Sequence, residues 1–143
     1  MKNNDNFLDK YSYKIKTLSE LKKITKSLKK NKKIILCHGV FDIVHPGHVR
    51  HLAHAKSKAD ILIVSTTEDR YIKKGVNRPH VPQNIRAANL AAFELVDFVI
   101  IDKNAKPLNL IKSIKPNYFA KGFEYSNLGL PKATLEEKNL LES

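Results

Sequence analysis

The chain has 143 residues, with 42% hydrophobic and 28% charged content, which fits one globular domain with a sizeable core and excludes a disordered composition. Its single cysteine, Cys37, excludes an intramolecular disulfide, and no segment is apolar enough to span a bilayer. The net charge of +12 invites a nucleic-acid reading, but eleven lysines and three acids in residues 1–33 supply +8 of it.

Residues 1–14 read as a flexible basic tail, and residues 15–143 as the domain. No apolar stretch follows the basic N-terminus as in a signal peptide, so a cytoplasmic location is expected. Residues 18–28 read as a helix with Leu18, Leu21, Ile24 and Leu28 on one face and lysines on the others; Thr17 and Glu20 have capping-box spacing. A solvated lysine face explains this pattern better than a nucleic-acid or membrane arm, since no aromatic residue interleaves the lysines.

The apolar run at residues 34–37 predicts a first strand. Val49, Leu52, Ala53 and Ala55 then fit a helix packed on a sheet. A second strand is expected at residues 60–65, a helix at 85–95, a third strand at 96–101, a short helix at 108–114 and a fourth strand at 118–121. A last helix is expected at 134–141. Near-continuous apolar strands alternating with helices predict a Rossmann-like, three-layer α/β/α domain with a central parallel sheet. Ligands bind such sheets outside the carboxyl ends of the strands, where strand order switches. The turn after the first strand and the segment after the fourth should therefore meet at one edge.

The first of those turns carries the chemistry. It reads His38-Gly39-Val40-Phe41-Asp42-Ile43-Val44-His45-Pro46-Gly47-His48-Val49. Gly39 and Gly47 permit close backbone approach, and Pro46 fixes one dihedral at a helix start, where its missing N–H costs nothing. A helix beginning near Gly47 points unpaired N–H groups at a phosphate, which His45 and His48 would flank. His48, His51 and His54 recur every three residues, but they rotate around a helix and lack partners at ligand spacing, so no protein metal site is expected.

This segment resembles the nucleotidylyltransferase family marked by His-x-Gly-His, which includes glycerol-3-phosphate cytidylyltransferases and adenylyltransferases of sugar phosphates. Residues 116–125, Pro-Asn-Tyr-Phe-Ala-Lys-Gly-Phe-Glu-Tyr, are similar to the family's late strand and the Lys-Gly-x-Asp-Tyr that follows it. Lys73-Lys74-Gly75, Arg78-Pro79 and Arg86 resemble the sugar-phosphate branch, and particularly the transferase domain that bifunctional proteins fuse to a sugar kinase.

The resemblance implies attack by a substrate phosphate on the α-phosphate of a nucleoside triphosphate, with release of pyrophosphate. A sugar 1-phosphate with ATP is the favoured pair, and glycerol phosphate with CTP the alternative. It implies catalytic roles for His45, His48 and Lys74, with nucleotide contacts at Gly39, Val40, Phe41, Gly47, Lys121, Gly122, Glu124 and Tyr125. Asp42, Lys73 and Arg86 are expected at substrate or phosphate, although for Asp42 a turn-orienting role is slightly favoured over a substrate contact, and for Arg86 a structural ion pair is equally open. Mg2+ would arrive with the triphosphate. Homodimers are common in the family and are expected on that ground alone.

Two departures shape the alternatives. Val40 stands where many relatives carry Thr or Cys, so only its backbone can serve a nucleotide. The family's late Ser/Thr-rich helix start has no counterpart after Tyr125, so a truncated domain is expected. The competing functions are a non-catalytic nucleotide-binding module and a basic nucleic-acid-binding domain, the latter disfavoured by the local charge.

Overall fold

The computed structural model describes residues 7–73, 75 and 77–121. Four strands, β1 (Ile34–Gly39), β2 (Ile61–Thr67), β3 (Phe98–Asp102) and β4 (Tyr118–Ala120), form one parallel sheet in the order β3-β2-β1-β4. The helices are α1 (Phe7–Lys10), α2 (Leu18–Leu28), α3 (Pro46–Ser57), α4 (Gln83–Ala91) and α5 (Leu108–Ile114). This is the α/β/α architecture expected from the sequence.

Side-chain alternation along the strands sorts the core into two layers. Ile35 and Cys37 of β1, with Leu62 and Val64 of β2, face Leu52 and Ala55 of α3 and Ala87, Leu90 and Ala91 of α4. Ile34, Leu36 and Ile63 face Leu21 of α2 and Leu110, Ile111 and Ile114 of α5 on the other side. Because both faces are covered, the strands read as unbroken apolar runs.

Helix α2 has the expected bounds. The Thr17 hydroxyl accepts from the Glu20 amide at 3.2 Å, and Glu20 Oε1 accepts from the Thr17 amide at 3.1 Å, so the capping box closes in both directions. Helix α5 also keeps its expected span, ending at Lys115 in the left-handed region, φ 52°.

Several boundaries differ: β1 and β2 run two residues further than expected, to Gly39 and Thr67, β2 starts and β4 ends one residue inside the expected bounds, and the larger changes have identifiable causes. Part of the expected tail is docked: residues 7–14 form α1 and a 3-10 turn, Tyr11 packs on the core, and Lys14 Nζ donates to the Phe93 carbonyl at 3.0 Å. The cause lies just beyond, where Ile15 bridges Val99 and the Lys16 amide donates to the Val99 carbonyl at 2.8 Å, covering the β3 edge. Helix α4 starts at Gln83, two residues earlier than expected, because Asp69 Oδ2 accepts from the Gln83 amide at 3.2 Å. It ends at Ala91, and the Val96 amide closes a turn onto the Phe93 carbonyl at 3.1 Å, which delays β3 to Phe98. The expected helix at 134–141 lies outside the described residues. Among the described residues no helix is long and apolar enough to cross a membrane.

Candidate active site

The chain runs β1, β2, β3 towards one edge and then returns to place β4 on the other side of β1. The switch in strand order therefore lies between β1 and β4, where open α/β sheets bind ligands. Cys37 pairs with Ala120, so the turn after β1 and Lys121 after β4 emerge at the same edge, as expected.

In the turn, His45 is the N-cap of α3 and Pro46 its first residue. His45 Nδ1 accepts from the Gly47 amide at 3.0 Å, and His48 Nδ1 accepts from the His45 amide at 3.2 Å. Two imidazoles thus build a reciprocal capping box in place of the usual Thr/Glu pair. Acceptance at Nδ1 fixes the neutral tautomer of each ring with its proton on Nε2. The capping and phosphate-facing readings of these histidines are therefore compatible, since they use opposite edges of one ring. The two imidazoles are tilted 36° to each other with centroids 3.9 Å apart, and the Phe41 ring centroid lies 5.4 Å from that of His48.

Glycine is required at two points of this construction. A Cβ on Gly47 would stand 2.7 Å from His45 Cε1, and one on Gly39 would stand 2.9 Å from Phe41 Cε2. Phe41 itself is buried with φ 51°, a left-handed conformation that costs a bulky residue about 1–3 kcal/mol and that concentrates at functional sites. Its ring belongs to the core and props His48, so only its backbone is left for a nucleotide.

Arg86 settles which of its two open roles it plays. It is fully buried, and all five N–H groups are spent within the protein. Nε donates to the Val81 carbonyl, Nη1 to the Val40 carbonyl and Thr66 Oγ1, and Nη2 to the Thr67 carbonyl and Asp69 Oδ1, at 2.6–2.9 Å. No donor remains for a phosphate, which corrects the phosphate-contact expectation. The residue is a strut that holds the Val40 turn to β2 and to α4. The Val40 carbonyl, which also accepts from Thr66 Oγ1 at 2.8 Å, is likewise committed inside the protein.

Asp42 is corrected in the same way. Its Oδ2 accepts from Arg78 Nη1 and the His80 amide, each at 2.9 Å, and its Oδ1 accepts from the Val81 amide at 2.8 Å. It pins the 78–81 loop against the turn. Burial pushes this carboxyl up, but the His80 and Val81 amides and the Arg78 guanidinium outweigh it and hold it at about 2. A depressed folded-state value stabilises the fold fully above the ordinary carboxylate range and is lost as pH falls through about 2. Asp42→Asn is therefore expected to lower the melting temperature at pH 7, with the gap to the native protein closing between pH 4 and pH 2. A gap independent of pH would show that the charge is idle.

At the end of β1, His38 hydrogen-bonds through Nδ1 to Ser65 Oγ and through Nε2 to Thr67 Oγ1 at 3.3 Å. Burial, and then the Lys121 ammonium, push it down to about 4, so the ring is neutral above that pH. Lys73 is exposed in the loop after β2, and Lys121 is partly buried beside His38. Lys74, Gly122, Glu124 and Tyr125 lie outside the described residues. Sequence reasoning passed over His38, Thr66, Thr67 and Asp69; the polar Ser65-Thr66-Thr67 ending on an apolar strand was the available signal.

The cytidylyltransferase-like family model matches residues 36–136, from β1 through the turn and beyond β4. The bifunctional protein HldE of Campylobacter fetus is 43% identical over 118 residues, covering 81% of this chain and 25% of that protein. HldE of Nitratiruptor sp. is 44% identical over 114 residues, covering 78% and 25% respectively. The chain thus spans about a quarter of the length of these curated relatives. Among solved structures, a lipopolysaccharide core biosynthesis protein from Thermoplasma volcanium superposes with a TM-score of 0.64 at 25% identity, covering 76% of this chain and 86% of that one. With the switch-point turn and its histidine pair in place, the chain belongs to the cytidylyltransferase-like family.

Proposed function

We propose that this chain transfers a nucleotidyl group from a magnesium–nucleoside triphosphate to a phosphorylated small molecule, with a sugar 1-phosphate and ATP as the favoured pair. The observation that carries this reading is the histidine capping box, which presents two oriented Nε2–H donors beside a helix N-terminus at the sheet's switch point. In the reaction an acceptor phosphate oxygen bonds to the α-phosphorus while the bond to the bridging oxygen breaks, and pyrophosphate leaves with that electron pair. Negative charge grows on the α-phosphate and the leaving group. Donors fixed in advance stabilise that charge more than the ground state.

No covalent enzyme intermediate is needed, so positioning and electrostatics carry the rate. Lys121 just after β4, with Lys73 in the loop after β2, supplies further positive charge, Lys74 is assigned the same role in this reading, and Gly47 lets phosphate approach the helix start. Gly122, Glu124 and Tyr125 complete the nucleotide side in this reading. Among the described residues no group of three metal-binding side chains occurs, and the Asp42 carboxylate is taken by the 78–81 loop. In this reading magnesium enters as part of the nucleotide substrate.

The test is pyrophosphate release from ATP or CTP in the presence of heptose 1-phosphate or glycerol 3-phosphate. Turnover with ATP and the sugar phosphate supports the favoured pair. Turnover with CTP and glycerol phosphate selects the alternative acceptor class, and nucleotide binding without turnover under any combination would reduce the chain to a binding module.

A further inference from the structure

The sheet divides the chain by charge as well as by packing. Helices α2 and α5 cover one face, against Ile34, Leu36 and Ile63. Residues 18–33, from the start of α2 to β1, hold seven lysines and one acid, and residues 103–121, from the end of β3 past β4, hold five lysines and no acid. These two stretches supply +11 of the net +12, whereas residues 34–102, which include α3 and α4, supply only +1. Taken alone, the α2 lysines are a solvated helix face; the fold sets a second cationic segment beside them.

Lys22, Lys26 and Lys29 stand at i, i+4 and i+7, so they share one side of α2. That side borders α5, because the Lys29 ammonium donates to the Ile114 carbonyl, 85 residues away. Burial, and then the Lys115 ammonium, push Lys29 down, as crowding of like charges does. Lys22, Lys26, Lys112 and Lys115 are exposed. The one acid, Glu20, is held by Thr17 in the helix cap. The ion pairs of Lys56, Arg70, Arg78 and Arg86 lie outside both stretches, and among the described residues neither the α2 lysines nor Lys112 and Lys115 pair with an acid.

We propose that the α2/α5 face docks on an anionic phospholipid surface and holds the chain at a bilayer by charge alone. A broad cationic face without acids is attracted to such a surface as a whole, with no need of a pocket. All twelve basic residues of the two stretches are lysines, while the four arginines lie between residues 50 and 86. Arginine forks and aromatic platforms suit nucleic acids, so lysine point charges fit a diffuse headgroup layer better. The exposed Tyr118 pairs with Ile35, whose side chain faces the other layer, and Tyr13 and Ile43 lie outside both helices, so no apolar wedge enters the acyl chains. Helix α3, which carries the histidine turn, packs on the opposite face of the sheet, and the docked chain keeps that turn open to solvent. The proposal is independent of the transfer reaction, because its test reads vesicle binding and not turnover.

The full chain is sedimented with vesicles of phosphatidylcholine alone and with vesicles containing an increasing share of phosphatidylglycerol. Binding is expected only with phosphatidylglycerol, rising with its share and reversed by salt. Lys22→Glu/Lys112→Glu, one exposed lysine from each helix, should weaken it by about 25-fold, at about fivefold for each lysine near the surface. Arg50→Glu/Lys58→Glu, on α3 and just after it, changes the net charge equally and should weaken it by less than about threefold, since charges on the far face are screened. No binding to phosphatidylglycerol vesicles, binding that salt leaves unchanged, or equal losses in the two variants would overturn the proposal. Release of the bound chain by an RNA duplex at equal phosphate concentration would overturn it as well, by showing that the face prefers nucleic acid.

Discussion

His48→Ala is expected to lower turnover by about 100- to 1000-fold while the fold survives, the cost typical of removing one oriented donor from a charge-stabilising site. The same substitution removes the acceptor for the His45 amide, a capping loss worth about 1 kcal/mol. These two effects can be separated. His48→Gln keeps a side chain of the type that closes a capping box at this position, so it should recover much of the melting temperature and little of the turnover. Steady-state rates and thermal melts on the three proteins check this. Rates that follow the melting temperature across the series would mean that the histidine is only a cap.

Arg86→Ala is expected to be the most destabilising single substitution in the turn region, by about 3–5 kcal/mol, the range for removing one member of a buried charged network. The loss removes a donor from the Val40, Val81 and Thr67 carbonyls and from Asp69 Oδ1 together, and leaves the Val40 carbonyl only its bond from Thr66 Oγ1. Against a total stability of about 5–15 kcal/mol for an ordinary domain, such a change leaves little reserve. Arg86→Lys should rescue poorly, because an ammonium cannot reproduce five planar donors aimed at acceptors from four segments. Chemical denaturation of both variants is the check. A loss of nucleotide affinity with native stability would return Arg86 to the phosphate-binding role.

The strands and both apolar layers were legible because burial on two faces leaves unbroken runs such as Ile34 to Cys37 and Ile61 to Val64. The α2 cap was legible because Thr17 and Glu20 are local partners. Arg86 was not, since its acceptors lie 5 to 46 residues away and nothing local marks an arginine as buried. The end of α4 was missed for another reason: Leu95 and Val96 continue an apolar pattern, and only the turn onto Phe93 shows that the helix has already closed. His45 and His48 were legible as a pair at a helix start. That each caps the helix through Nδ1, which fixes the proton on Nε2, required the geometry.

The most direct measurement is calorimetric titration of ATP, CTP, GTP and UTP, each with magnesium, into the native chain and into the His45→Ala/His48→Ala double variant. Selective binding of one nucleotide by the native chain, abolished in a double variant that still melts cooperatively, is the predicted result. Equal binding of that nucleotide by both proteins would contradict the assignment of the histidine turn as the triphosphate site.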